Sequence, residues 1–301
     1  MPDLWTIRTT LEWTQGYLER KGDANPRLSA QWLLSAVTGL SRVQIYADYD
    51  KPLSHAERDV LREYVTRRGA GEPLQYIVGE VGFRHIDVKV RKGILIPRPE
   101  TEVLVSEALA ALPADEPFLA ADICTGSGCI ACSLAYERPE CRVVATDISA
   151  DALELARENV ENLGLDLRVS LFQGDLGQAV PAELMGTFDL VISNPPYIPT
   201  AVLDTLDREV TAFEPALALD GGADGLELFR PLTQWAARAL KPGGVYAVEL
   251  HETCLEQAKE LALQNGFVQG EIVRDLAGRP RILLARSAGY ETDQVAESIV
   301  K

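Results

Sequence analysis

Two segments hold the residues with which this chain could do chemistry. The first, residues 122–135, reads DICTGSGCIACSLA. Its cysteines Cys124, Cys129 and Cys132 have C-x4-C-x2-C spacing, which also opens a plant-type ferredoxin motif. The same letters contain the glycine-rich turn CTGSG. There Gly126 and Gly128 let backbone N–H groups approach a ligand, and the start of a following helix favours negative charge. A phosphate-binding P-loop would need G-x4-G-K-[ST], and no lysine stands in this loop. The second segment, FDLVISNPPYIP, carries Asn194-Pro195-Pro196-Tyr197. Two prolines fix φ and supply no N–H, which leaves a rigid turn with outward carbonyl oxygens. An asparagine side-chain carbonyl and a backbone carbonyl can grip both hydrogens of a planar –NH2 group, and Tyr197 can stack on the group that carries it. Read plainly, the segment is a proline-rich turn.

Both segments need a sheet edge behind them. From Pro117 onward the short apolar runs FLAADI, CRVVATD, LRVSLFQ, FDLVISN and GGVYAVEL suit strands covered on both faces, and helical stretches separate most of them. That alternation predicts an α/β fold with a parallel, doubly wound sheet. GEIVRDLAGRPRILLAR reads as a terminal antiparallel hairpin joined by a Gly-Arg-Pro turn. FLAADI then ends at the carboxyl edge, where ligands bind in this architecture, and VVATD ends in Asp147 about twenty residues later, where an acid can accept from both ribose hydroxyls of an adenosine-type ligand. If a helix starts near Gly128, Cys129 and Cys132 share the face of Ala131 and Leu134 that packs on the sheet. The expectation there is buried, inert thiols and no metal.

Ahead of the sheet, residues 9–70 read as amphipathic helices. Pro26 suits the first turn of one helix and Gly39 its exit, while Ser54 caps another that ends near Gly69. His55, near that helix start, reads as a solvated surface residue. LQYIVGEVGFRHIDVKV alternates and reads as a β-hairpin, followed by Pro97 and Pro99 in an extended turn and a helix from near Thr101. The expected divisions are a helical domain over 1–72, a β-hairpin linker over 73–96, the sheet domain over 97–286 and a mobile tail over 287–301.

Composition narrows the class. The 301 residues are 47% hydrophobic and 25% charged, ordinary for a soluble globular protein. No apolar run approaches the roughly 18 residues of a membrane span. The start, MPDLWTIRTTLEW, lacks a signal-peptide pattern, and the odd count of five cysteines does not suggest a disulfide framework, so a cytoplasmic protein is expected. The net charge of −16 is unevenly spread: residues 1–75 carry ten basic and ten acidic side chains, whereas 76–301 carry 19 and 35. Such a surface repels phosphate backbones, so direct nucleic-acid binding is not expected.

With both segments in view, the chain resembles the class I S-adenosylmethionine-dependent methyltransferases that act on planar amino or amide nitrogens. The resemblance covers about residues 96–286. Within that superfamily it is most similar to the protein-(glutamine-N5) methyltransferases of peptide chain release factors, through GEPLQYIVGEVGFRH, ILIPRPETEVLV, FEPALALDGGADGL and LKPGGVYAVELH besides NPPY. The small helical domain also fits.

The resemblance implies a seven-stranded, mostly parallel sheet and S-adenosylmethionine as methyl donor, with no metal. Asp122, Cys124, Thr125, Gly126, Ser127 and Gly128 match the family's Asp-x-Gly-x-Gly-x-Gly loop. Cys124 stands where the family has its first glycine, a departure that could tighten the pocket near the methionine end. Asp147 matches the ribose-binding acid, and Asp175 and Leu176 match the positions beside adenine. Asn194, Pro195, Pro196 and Tyr197 match the substrate-amide clamp, with Asn194 also near the cofactor. Arg98, Glu100 and Thr101 match a segment next to the site. The implied protein is a monomer whose helical domain docks a release factor so that its Gly-Gly-Gln loop enters the cleft. Rival readings are methylation of the exocyclic amine of adenine or cytosine in nucleic acid, methylation of a ribosomal-protein glutamine, or a nicotinamide-dependent oxidoreductase on the same sheet type, which would need no NPPY.

Overall fold

Local sequence signals set where most elements begin and end in the computed structural model, which describes residues 5–288. The first helices are α1 (Ile7–Arg20), α2 (Pro26–Thr38), α3 (Arg42–Ala47), α4 (His55–Gly69) and α5 (Leu74–Val78). Pro26 opens α2 at a position whose N–H would be unused, and Gly39 closes it with φ +69°. Ser54 and Glu57 form a reciprocal capping box at the start of α4. His55 is exposed, with Nδ1 beside the Arg58 guanidinium. The hairpin follows as β1 (Glu80–Phe83) and β2 (Ile86–Lys89). The alternation read across residues 74–90 is therefore too long. Leu74–Val78 is a helical turn ended by Gly79 at φ +89°, and only the residues beyond it are extended.

The remaining elements are α6 (Pro99–Ala110), β3 (Leu119–Ile123), α7 (Cys129–Glu137), β4 (Arg142–Asp147), α8 (Ala150–Asn162), β5 (Val169–Gln173), β6 (Phe188–Ser193), α9 (Thr200–Leu203), α10 (Arg208–Phe213), α11 (Phe229–Ala239), β7 (Leu240–Glu249), α12 (Leu255–Gln264), β8 (Phe267–Arg274) and β9 (Pro280–Ser287). Helix α6 starts two residues before Thr101, because Pro99 takes its first turn as Pro26 does in α2. Of the tail expected over 287–301, Ser287 closes β9, and residues 289–301 lie outside the described residues.

Contacts divide the chain into two units. One runs to Glu80 and takes in Val90–Lys92 and Asp207–Phe213; the other holds Val81–Lys89, Gly93–Leu206 and the chain from Glu214. In the first, Leu11, Leu18, Leu33, Leu34, Ile45, Leu61 and Val65 form a helical core. Its Arg68, nearly buried, bridges Asp23 at 2.6 Å and Glu209 of α10 at 3.0 Å, which ties α10 to α4 despite their separation in sequence.

The second unit is built on a seven-stranded sheet of order β5-β4-β3-β6-β7-β9-β8, in which β9 alone is antiparallel to its neighbours. Alternate strand residues face opposite layers. Ala120, Val143, Ala145, Leu190 and Ile192 pack under α6, α7 and α8. Ala121, Ile123, Val144, Val191, Tyr246 and Val248 pack against α11 and α12. Both faces are thus covered, as the unbroken apolar runs require. Arg84, at φ +54° in the corner of the β1–β2 hairpin, grips Glu137 of α7 with two hydrogen bonds of 2.5 and 2.8 Å. Among the described residues no helix is long and apolar enough to cross a membrane.

Candidate active site

Strand register lines up one row of residues at the carboxyl edge of the sheet. Ile123 pairs with Thr146 on one side and Ser193 on the other, and Ser193 pairs with Val248. One residue further along, Cys124, Asp147, Asn194 and Glu249 leave the sheet side by side. The row spans the point where β4 and β6 run away from β3 in opposite directions, the crevice where open α/β sheets bind ligands.

The loop after β3 is a tight left-handed turn. Cys124, Gly126 and Gly128 have φ of +63°, +57° and +79°. A Cβ at Gly128 would stand 3.1 Å from Ala156 Cβ, so glycine also lets α8 pack against the loop. Asp122, wholly buried, accepts from Thr125 Oγ1 at 2.6 Å and from Ala131 N at 3.1 Å, which pins the loop to the start of α7. Its Oδ1 has no partner among the described residues, and burial raises its pKa to about 7. Asn159 of α8 fixes the other side, donating to Ser127 O at 2.9 Å while its Oδ1 accepts from Lys89 N at 2.8 Å.

Asp147 accepts from Gly126 N at 2.8 Å through one oxygen and from Ser149 N at 2.9 Å through the other. Burial lifts its pKa above the usual carboxylate value, although these backbone bonds oppose the shift. A carboxylate offers about four lone-pair sites. Two are used by these backbone bonds, and Asp147 also lines the cleft, where it can accept from further donors. Leu176 follows Asp175 at φ +48°, with its carbonyl held by Thr146 Oγ1 at 2.8 Å. A Cβ at the next residue, Gly177, would lie 2.1 Å from the Trp235 ring, so this turn is seated directly on α11.

These pieces border an open cleft of about 1060 Å³, the solvent at its mouth included. Of the residues singled out by sequence, Thr101, Cys124, Thr125, Gly126, Ser127, Asp147, Asp175, Leu176, Asn194 and Pro196 line it. Ile148, Leu95, Pro97 and Leu217 add apolar wall. Asp122, Gly128 and Pro195 stand behind the lining rather than in it. Arg98 turns away to an ion pair with the buried Glu214, and Glu100 lies 3.5 Å from Arg279.

Tyr197, expected to stack on the substrate group, is not among the lining residues; its hydroxyl donates to Glu249 Oε1 at 2.8 Å. The other oxygen of Glu249, Oε2, accepts from Thr101 Oγ1 at 2.8 Å, and Asn194 Nδ2 donates to Thr101 Oγ1 at 3.0 Å. Glu249 is wholly buried, and burial raises its pKa. Sequence reasoning passed over Glu249 and Asn159. For Glu249 the available signal was a carboxylate closing the apolar run VYAVE, where an acid has no place unless partnered.

Cys129 and Cys132 are buried in α7, with Cys129 also touching the cleft wall. Burial pushes the Cys129 thiol to about 12 and those of Cys124 and Cys132 well above their ordinary value. Among the described residues no three His, Cys, Asp or Glu side chains converge as metal ligands.

Comparison with known proteins follows the same two-part division. Residues 9–79 match the PrmC N-terminal domain model, and residues 101–213 match the methyltransferase small domain model. A release factor glutamine methyltransferase of Geobacter sulfurreducens is 44% identical over 95% of this chain and 98% of its own length. One from Rhodopirellula baltica is 40% identical over 94% and 97%. Among solved structures, a methyltransferase from Pyrococcus furiosus superposes with a TM-score of 0.51 over 68% of this chain and 90% of its own, at 24% identity, a likeness of fold.

Proposed function

The chain belongs to the release factor glutamine methyltransferase family, and on that premise we propose that its cleft binds S-adenosylmethionine across the loop Cys124–Ser127 and presents a release-factor glutamine to it at Asn194. The enzyme moves a methyl group to the side-chain amide nitrogen of that glutamine. The observation that supports the site assignment is the single row of Asp147, Cys124 and Asn194, with a carboxylate and a carboxamide on two sides of one glycine-rich loop.

S-adenosylmethionine, when bound, supplies an electrophilic methyl on a sulfonium. The chain's part is to hold and orient. Asp147 takes the ribose hydroxyls, and Asp175 and Leu176 flank the adenine. Asn194 Oδ1 accepts from one hydrogen of the glutamine –NH2, and the carbonyl of Pro195, the next residue of the turn although not itself part of the lining, is assigned the other. An amide nitrogen is a poor nucleophile because its lone pair is delocalised into the carbonyl. Holding both hydrogens in the plane of two acceptors aims the lone pair out of it and stabilises the positive charge that grows on nitrogen. The nitrogen gains the methyl and gives up one hydrogen as a proton. His55, His85 and His251 do not line the cleft, and the proton is lost after transfer to water or to a backbone acceptor. The helical unit that matches the PrmC N-terminal domain model takes the docking role.

The test is incubation of the protein with labelled S-adenosylmethionine and a purified release factor. Label is expected on the glutamine of the Gly-Gly-Gln loop and not on a factor with that glutamine changed to alanine. Equal labelling of both would overturn the reading.

A further inference from the structure

Four side chains from three separate parts of the sequence meet beside the cleft, and with Glu249 ionised their hydrogen bonds each run in one direction. Burial works against the carboxylate of Glu249, but the two hydroxyls that donate to it favour that form, which only accepts. Thr101 has one hydroxyl hydrogen, and it goes to Glu249 Oε2 at 2.8 Å. Thr101 Oγ1 is then left with lone pairs, and the atom of Asn194 that reaches it at 3.0 Å must be the donor, Nδ2. Asn194 Oδ1 consequently points away from Thr101. Tyr197 is held in the same way, its hydroxyl hydrogen committed to Glu249 Oε1 at 2.8 Å.

Burial makes this directional chain firm. Glu249 is 0% exposed and Thr101 2%, so water does not compete for either oxygen. Glu249 closes β7, Thr101 sits in the first turn of α6, and Asn194 follows β6. Glu249 and Thr101 lie within regular elements, and Asn194 follows directly on one.

We propose that Glu249, acting through Thr101, is the positioning residue that selects which end of the Asn194 carboxamide faces the substrate. A reversed carboxamide would meet the glutamine –NH2 with its own –NH2, donor against donor, and neither hydrogen would be held. Through Tyr197 the same carboxylate seats the Asn-Pro-Pro-Tyr turn from its other end. This inference rests on the reading of Asn194 as the amide acceptor.

Three variants separate orientation from packing. Thr101→Val keeps the shape and removes the hydroxyl, Thr101→Ser keeps the hydroxyl, and Glu249→Gln replaces an acceptor with a donor at one of the two bonds. Steady-state kinetics on a release factor, S-adenosylmethionine affinity by calorimetry and thermal melting are measured for each. The expected result for Thr101→Val and Glu249→Gln is a fall in kcat of about tenfold to a hundredfold, with cofactor affinity within about twofold. Thr101→Ser is expected to return kcat to within about threefold of wild type. A Thr101→Val enzyme with wild-type kcat, or a Thr101→Ser enzyme as impaired as Thr101→Val, overturns the proposal. So does a loss that appears as cofactor affinity. If Thr101→Val does not fold, Glu249→Gln and Thr101→Ser decide the matter by the same readouts. Wild-type transfer to the release factor is the control: its absence overturns the substrate reading, whereas normal transfer with unimpaired variants overturns the positioning role alone.

Discussion

The backbone of Gly221 lies so close to that of Tyr197 that a Cβ at 221 would stand 2.6 Å from Tyr197 Cα and 2.7 Å from its carbonyl carbon. Gly221 N donates to Ile198 O at 2.9 Å, and Ile198 N donates to Leu219 O at 2.9 Å. The segment around Gly221 is thus a brace laid along the Asn-Pro-Pro-Tyr turn. Gly225 approaches the same turn, where a Cβ would lie 2.5 Å from Tyr197 O. Gly221 and Gly225 of the DGGADG run leave room for the Tyr197 backbone to touch theirs.

Gly221→Ala is therefore expected to push the turn rather than the cofactor loop. Overpacking of this kind costs about 1–3 kcal/mol. The expected signature is a fall in kcat of about tenfold or more, with S-adenosylmethionine affinity nearly unchanged. Calorimetry and steady-state rates on the same preparation check it, and an unaltered kcat would show that the brace does not set the turn.

Asn194→Ala removes the proposed amide acceptor and leaves the Asp147 side of the cleft intact. Transfer is expected to fall by about a hundredfold or more, while cofactor affinity stays within a few-fold. The measurement is single-turnover transfer at saturating S-adenosylmethionine; retained turnover would sink the assignment of Asn194.

Asp147→Asn acts at the other end. Both carboxylate oxygens accept from backbone N–H groups, of Gly126 and Ser149. An asparagine must turn its –NH2 toward one of them. Cofactor affinity is expected to drop by about tenfold to a hundredfold, in keeping with about 1–3 kcal/mol for an unsatisfied buried polar group. The rate at saturation should change less. Calorimetric titration with S-adenosylmethionine and S-adenosylhomocysteine tests this.

Asp122 gives the chain a pH-dependent stability with a definite sign. Its folded pKa is about 7 against an ordinary 3.8, through burial. Between those values the folded state keeps a proton that the unfolded state releases, so raising pH costs stability. The contribution is fully present below about pH 4 and lost as pH rises through about 7. Asp122→Asn carries no such term. Denaturant midpoints of the two proteins, taken from pH 5 to 8, should shift in favour of the variant as pH increases and level off above about 7.5. A difference that does not vary with pH would mean that Asp122 ionises normally.

Much of this architecture was legible because its signals are local. The parallel strands of the sheet hold short apolar runs, and Pro26, Gly39 and Ser54 mark helix ends by their own backbone or capping chemistry. The two site loops were legible for the same reason, since each follows directly on its strand. What escaped depends on pairing across the chain. Glu249 meets Tyr197 52 residues away and Thr101 148 residues away. Arg98 turns from the cleft to Glu214, 116 residues on. Asp207–Phe213 returns to the helical unit through Glu209 and Arg68. Leu74–Val78 was misread because five residues are too few to tell helical from alternating spacing.

Cys124 supplies the last prediction. Its φ of +63° is the left-handed region, where a side chain costs about 1–2 kcal/mol relative to glycine. The family's glycine at this position is explained by that backbone, and the cysteine here keeps the turn at a cost. Its sulfur recovers part of the cost by packing against the core around Tyr246 and Val248. Cys124→Gly removes the strain but loses the packed sulfur and gains about 0.5–1 kcal/mol of unfolded-state freedom, so its stability should lie within about 1 kcal/mol of wild type. Cys124→Ala keeps the strain and loses the sulfur. The alanine variant is therefore expected to be less stable than the glycine variant, the reverse of the order found in helices and strands. Urea denaturation of the three proteins decides it. An alanine variant more stable than the glycine variant would mean that the turn relaxes out of the left-handed region when the thiol is gone.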